Sequence, residues 1–114
     1  MINEDRIKPF RIVSGDRSTS VILGIVGTYN QRIFDERAPE GFTGNGYDWG
    51  SLARVFLEEK AAHLKTLIRL EPEGGMFCAY STDRAAIEEF AVGFHAMCEN
   101  ELEMRDLFSR AELD

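Results

Sequence analysis

The chain has 114 residues, 44% of them hydrophobic, which suffices for one globular domain with its own core and is too short for two of ordinary size. Charged residues make up 29% without forming one long block, which excludes the pairing of low hydrophobicity with high net charge seen in disordered chains. Thirteen Lys and Arg against twenty Asp and Glu give a net charge of -7, so like-charge repulsion makes the chain a poor general binder of nucleic acid or of anionic membrane surfaces.

A single domain over residues 1–114 is therefore expected. Residues 1–8 are polar, carry both signs of charge and precede no apolar stretch. No secretory signal is expected there, and the cytoplasm is the expected location. Residues 9–13 alternate loosely, with Phe10, Ile12 and Val13 apolar. After the turn-forming Ser14-Gly15-Asp16-Arg17, residues 18–27 read as a strand rich in Val and Ile. The two should pair as a hairpin, with Gly24 and Gly27 marking a bulge or bend. The apolar run at residues 21–26 is too short to span a bilayer. Residues 31–37, around Ile33 and Phe34, read as a short strand or turn. Residues 38–46 hold one proline and three glycines and read as a loop, with Asn45-Gly46 as a turn.

Asp48 is placed to cap a helix, because its carboxylate can accept from the free N–H groups of a first turn. Trp49, Leu52, Ala53 and Phe56 then follow at i, i+3, i+4 and i+7, one helical face. Val55 and Leu57 widen that stripe, while Glu58, Glu59 and Lys60 should face water. The helix is expected to reach residue 64 or 65. Residues 67–71 and 76–81 read as a second hairpin about Pro72-Glu73-Gly74-Gly75, and the almost wholly apolar later strand should be central in its sheet. Ser81, Thr82 and Asp83 are candidate caps for the next helix. There Ile87, Phe90, Ala91, Phe94 and Cys98 give the cleanest helical period in the chain. Asn100 should end or bend it. Residues 101–110 then form a short helix with Leu102, Leu107 and Phe108 turned inward. The fold expected is α+β: an antiparallel sheet built from hairpins, with helices packed on one face in two layers.

Catalytic chemistry finds little support. His63 and His95 are the two histidines, and His95 with Cys98 supplies two ligands where a closed zinc site takes four, so neither metal nor cofactor is expected. Cys78 and Cys98 sit among apolar neighbours and read as reduced core thiols. Nothing local would activate a Cys78 thiolate for a pair with His95. The glycine-rich Gly41 to Gly46 lacks the Lys-Ser/Thr ending of a phosphate loop. Glu58-Glu59 and Glu88-Glu89 are adjacent, and adjacent helical residues diverge by about 100°, so neither forms an acid/base pair. A binding protein without catalytic residues is the reading that follows. The alternative is a small enzyme or ligand-binding domain with a pocket between sheet and helices, using Cys78 and His95.

The charge is lopsided. Up to Leu57 the chain holds seven basic and seven acidic residues; from Glu58 onward it holds six basic and thirteen acidic. The whole excess lies in the second half, where a potential of one sign would steer a basic partner.

Asn45-Gly46-Tyr47-Asp48-Trp49, Ser51-Leu52-Ala53, Val55-Phe56-Leu57-Glu58-Glu59-Lys60, Glu73-Gly74-Gly75-Met76-Phe77-Cys78-Ala79-Tyr80-Ser81, Phe90-Ala91 and the ending Leu107-Phe108-Ser109-Arg110-Ala111-Glu112-Leu113-Asp114 together resemble the Imm51 family of bacterial immunity proteins. The resemblance runs over residues 47–114, and residues 1–44 share it only in outline, as a hairpin and a loop. It implies an α+β fold, no catalysis, and a protein partner: the cognate toxin domain of a polymorphic toxin system, from which the producing cell is protected. A nuclease would be a suitably basic partner. Interface charge is expected at Glu58, Glu59, Glu71, Glu73, Glu88 and Glu89, with Tyr47 and Trp49 as candidate aromatic anchors.

Overall fold

A computed structural model describes residues 3–113; Asp114 of the family-like ending lies outside them. After a 3-10 turn at Glu4–Ile7, strands β1 (Arg11–Ser14) and β2 (Thr19–Leu23) form the expected antiparallel hairpin. The second strand stops at Leu23, before Gly24, and does not run on to Gly27, which has φ +96. Residues expected to make a strand or turn instead form helix α1 (Gln31–Asp35). Its buried Ile33 and Phe34 are neighbours in sequence, a spacing that short helices and strands share.

Helix α2 (Gly46–Lys60) begins earlier than expected. Asn45, and not Asp48, is the N-cap: its side chain accepts from the Asp48 N–H at 2.9 Å. Asp48 sits one turn in and is buried, and its carboxylate reaches back to the Thr43 and Gly44 N–H groups at 2.7 and 2.8 Å. The two residues satisfy donors reciprocally, as in a capping box, so Asn45-Gly46 opens a helix and does not close a turn. Asp48→Ala would leave those donors stranded and should cost about 3 kcal/mol, measurable as a lowered urea midpoint. Helix α2 stops at Lys60, with a 3-10 turn at Ala62–Leu64 beyond it.

Strands β3 (Arg69–Leu70) and β4 (Phe77–Ser81) form the second hairpin, closed by a bridge between Glu73 and Met76. The sheet order β1-β2-β4-β3 places β4 centrally, beside β2. Register sets the faces. Val21 pairs with Ala79 and Leu23 with Phe77, all buried beneath the helices, while Ile22 pairs with Cys78 on the opposite, half-exposed face. Period-2 alternation along each strand produces this division.

Asp83 caps helix α3 (Arg84–Glu99), accepting from the Ala86 N–H at 3.1 Å. All five residues of the predicted stripe are buried. Asn100 ends α3 and caps α4 (Glu101–Phe108) in one step. Leu102 was expected inward, yet it is 81% exposed and Met104 takes the buried place. Capping at Asn100 sets the helical phase, which turns Met104, Leu107 and Phe108 to the core and Leu102 away. The result is the expected α+β architecture, an antiparallel sheet with α2 and α3 packed on it.

Candidate functional site

The eight residues singled out by sequence do not form one site. Trp49 is 0% exposed and lies in the core among Phe10, Tyr29, Phe34 and Phe94. The seven others fall into three places on the surface.

The first is a corner where the start of α2 meets the β3–β4 turn. The Gly46 N–H donates to the Gly74 carbonyl at 3.1 Å, and the Tyr47 ring passes over Gly74. Tyr47 is 46% exposed. Glu71 and Glu73 flank the same hairpin, and both are exposed. Neither takes an ion pair or a side-chain hydrogen bond among the described residues. Their fields, added to a larger contribution from burial, push the neighbouring Cys78 thiol up. The corner thus joins an exposed aromatic to two carboxylates that have no ion pair among the described residues.

The second place is a cleft of about 270 Å³ between α2 and the C-terminal segment, lined by Glu58, Glu59, Arg110 and Glu112 among others. Here the neighbouring acids differ. Arg110 grips Glu59 with two bonds of 2.7 Å and also holds Asp106 at 3.0 Å. Those bonds, more than simple proximity of charge, hold both carboxyls below their usual range. The stabilisation is present at neutral pH and is lost as pH falls through the lowered values. Glu58, the residue before it, takes no such partner among the described residues.

The third place is the outer side of α3. A groove of about 1000 Å³ runs between this helix and residues 3–7 and carries Glu88 and Glu89 on its rim. Glu88 is paired with Arg84 at 2.9 Å, and Glu89 lies 2.5 Å from His63 Nε2. Val92 in the groove is 51% exposed. Sequence reasoning passed over Val92, although the signal was there: it is apolar yet sits about 200° around the helix from Phe90, off the buried stripe.

A second residue went unremarked. Arg37 donates to the Phe108 and Ala111 carbonyls, stacks 4.3 Å from the Phe42 ring centroid, and is held by Glu40 at 2.8 Å. It fastens the C-terminal segment to the loop before α2. Its partners lie about seventy residues away, so no local pattern announces it.

The enzyme alternative is not supported by the geometry. Cys78 points to the face of the sheet opposite α3, while His95 lies on α3 with Nε2 3.0 Å from the Lys8 carbonyl. The sheet separates them. Cys98 is buried and free, with its thiol also pushed up by burial. Among the described residues there is no cluster of three or more His, Cys, Asp or Glu fit to hold a metal ion. Among the same residues no helix is long and apolar enough to cross a membrane.

No curated protein and no solved structure matches the chain. A family model does: the one described as Immunity protein 51, over residues 10–113. The match takes in the first hairpin, which the sequence resemblance caught only in outline.

Proposed function

The chain belongs to the Immunity protein 51 family, and from that membership we propose that it neutralises its toxin by one-to-one occlusion, steered by negative surface charge. Family membership makes it an immunity protein, a binder of a cognate toxin and not an enzyme. The match across nearly the whole chain is the observation that carries the role. The finer reading is supported by the distribution of charge. Of the six acids singled out, Glu58, Glu71 and Glu73 have no ion pair among the described residues, and such charges accelerate encounter with a basic surface.

The partner we propose is a toxin domain of a polymorphic system with a basic active-site face, as a nuclease needs to draw in phosphate. Residues 1–114 would act as one domain, in the cytoplasm, covering that face and excluding substrate. Tyr47 supplies an exposed aromatic beside the steering acids. Aromatic side chains at the desolvated centre of an interface carry much of its energy.

Reversing Glu71 and Glu73 to Lys together should slow association with the toxin domain about tenfold at low salt. The gap from wild type should close as salt rises, with little change in dissociation. Stopped-flow association across a salt series measures this. Equal rates for the two proteins at low salt would remove the steering role. Co-expression with the toxin encoded beside the gene tests the immunity role itself, and cell death despite soluble protein would defeat it for that pair.

A further inference from the structure

The acidic corner explains how a basic partner is drawn in and leaves open where it is gripped. Resting on the toxin-binding reading, we propose that the groove between residues 3–7 and α3 seats one segment of the toxin domain, an apolar side chain flanked by two basic ones. The floor is apolar: Ile7 on one wall, with Val92 and Ala96 projecting from α3. Val92 and Ala96 are one helical turn apart, both outside the buried stripe. At one end stands Glu89 and at the other Glu99. Ten residues of helix separate these acids by about 15 Å.

Neither carboxylate is held by a Lys or Arg among the described residues. Glu89 is met by His63, and Glu99 accepts from the Tyr29 hydroxyl at 2.5 Å with His95 Nε2 3.9 Å away. Among the described residues Arg6 is the only Lys or Arg lining the groove, beside His95, against Glu88, Glu89 and Glu99, so acid prevails along the α3 side. An acid–apolar–acid stripe of this length is matched by a segment that places an apolar residue between two cations. An anionic or wholly apolar segment would leave the acids desolvated and unpaired, which is costly. The division of labour that follows is kinetic. The free acids at Glu58, Glu71 and Glu73 set how fast the partner arrives, and the groove sets how long it stays.

The test uses the full chain and the toxin domain encoded beside it, carrying an inactivating substitution and immobilised for binding kinetics. Val92→Gln and Ala96→Gln change exposed positions, so both should unfold with the wild-type midpoint. Each should raise the dissociation rate about tenfold while leaving the salt dependence of association unchanged. Val92→Ile, which keeps the apolar contact, should dissociate at close to the wild-type rate. Glu89→Gln should also dissociate faster, and the difference should fade in high salt. Wild-type dissociation rates in both glutamine variants would overturn the groove while the immunity reading stood. Failure of the wild-type chain to bind that domain at all would overturn both.

Discussion

Trp49→Ala is expected to lower folding stability by about 3–5 kcal/mol. The indole has no exposed surface and is enclosed by rings from separate parts of the chain. Tyr29 stacks on it at 5.9 Å between centroids, Phe34 tilts against it at 5.0 Å, and Phe10 and Phe94 meet it edge-on at 6.0 and 6.2 Å. Truncation would therefore strip contacts from the segment before β1, the α1 region and α3 at once. The cavity could not close without moving all three. A second variant sharpens the point. Among the described residues Trp49 Nε1 is buried without a hydrogen-bond partner, so Trp49→Phe removes an unsatisfied donor along with ring area. The loss for Phe should be well under half that for Ala. Urea denaturation followed by circular dichroism measures both. Equal losses in the two variants would mean that the ring contacts a phenyl group retains contribute nothing at this position.

Gly46→Ala is expected to cost about 3 kcal/mol, at the upper end for overpacking. A Cβ on Gly46 would lie 1.8 Å from the Glu73 carbonyl oxygen and 2.1 Å from that of Met76. Both are backbone atoms in a closed hairpin turn, so no rotamer change relieves the clash. The start of α2 or the hairpin must retreat, and the hydrogen bond from Gly46 to Gly74 goes with it. Gly75→Ala is the control from the same turn. Its Cβ would meet nothing within 4 Å, and its φ is not in the left-handed region. It should stay within about 0.5 kcal/mol of wild type. Because Tyr47, Glu71 and Glu73 are arranged by this helix–hairpin contact, Gly46→Ala should also slow association with the toxin domain. Wild-type stability in Gly46→Ala would show that the corner is loosely packed and a poor platform for a binding surface.

The two expectations differ in how far they could be read in advance. Trp49 as a core residue follows from its place at the head of an apolar stripe with helical spacing. Gly46 does not. Its neighbours are the carbonyls of Glu73 and Met76, almost thirty residues on, and a glycine beside Asn45 reads locally as a turn.

Much of the fold follows from short-range pattern. Both hairpins, the central place of β4, the buried face of α3 and the hinge at Asn100 rest on periodicities and caps that span fewer than twenty residues. The errors arose where local signals were degenerate. Ile33 and Phe34 fit a helix as well as a strand, and Asn45 outcompeted Asp48 as cap because Asp48 was drawn back to Thr43 and Gly44. Leu102 lost its inward place once Asn100 fixed the phase of α4.

The resemblance to immunity proteins was likewise carried by ordered local motifs, and the family match extends it to the first hairpin. What sequence could not decide was which acids remain free. Glu58 and Glu59 look equivalent in the chain, but Arg110 arrives from fifty residues away and holds only one of them. Charge count and helical period are properties of the chain and survive any packing. Charge availability and concavity belong to pairs of distant segments, and only the tertiary structure, by bringing residues 3–7 against α3 and the β3–β4 turn against α2, creates them.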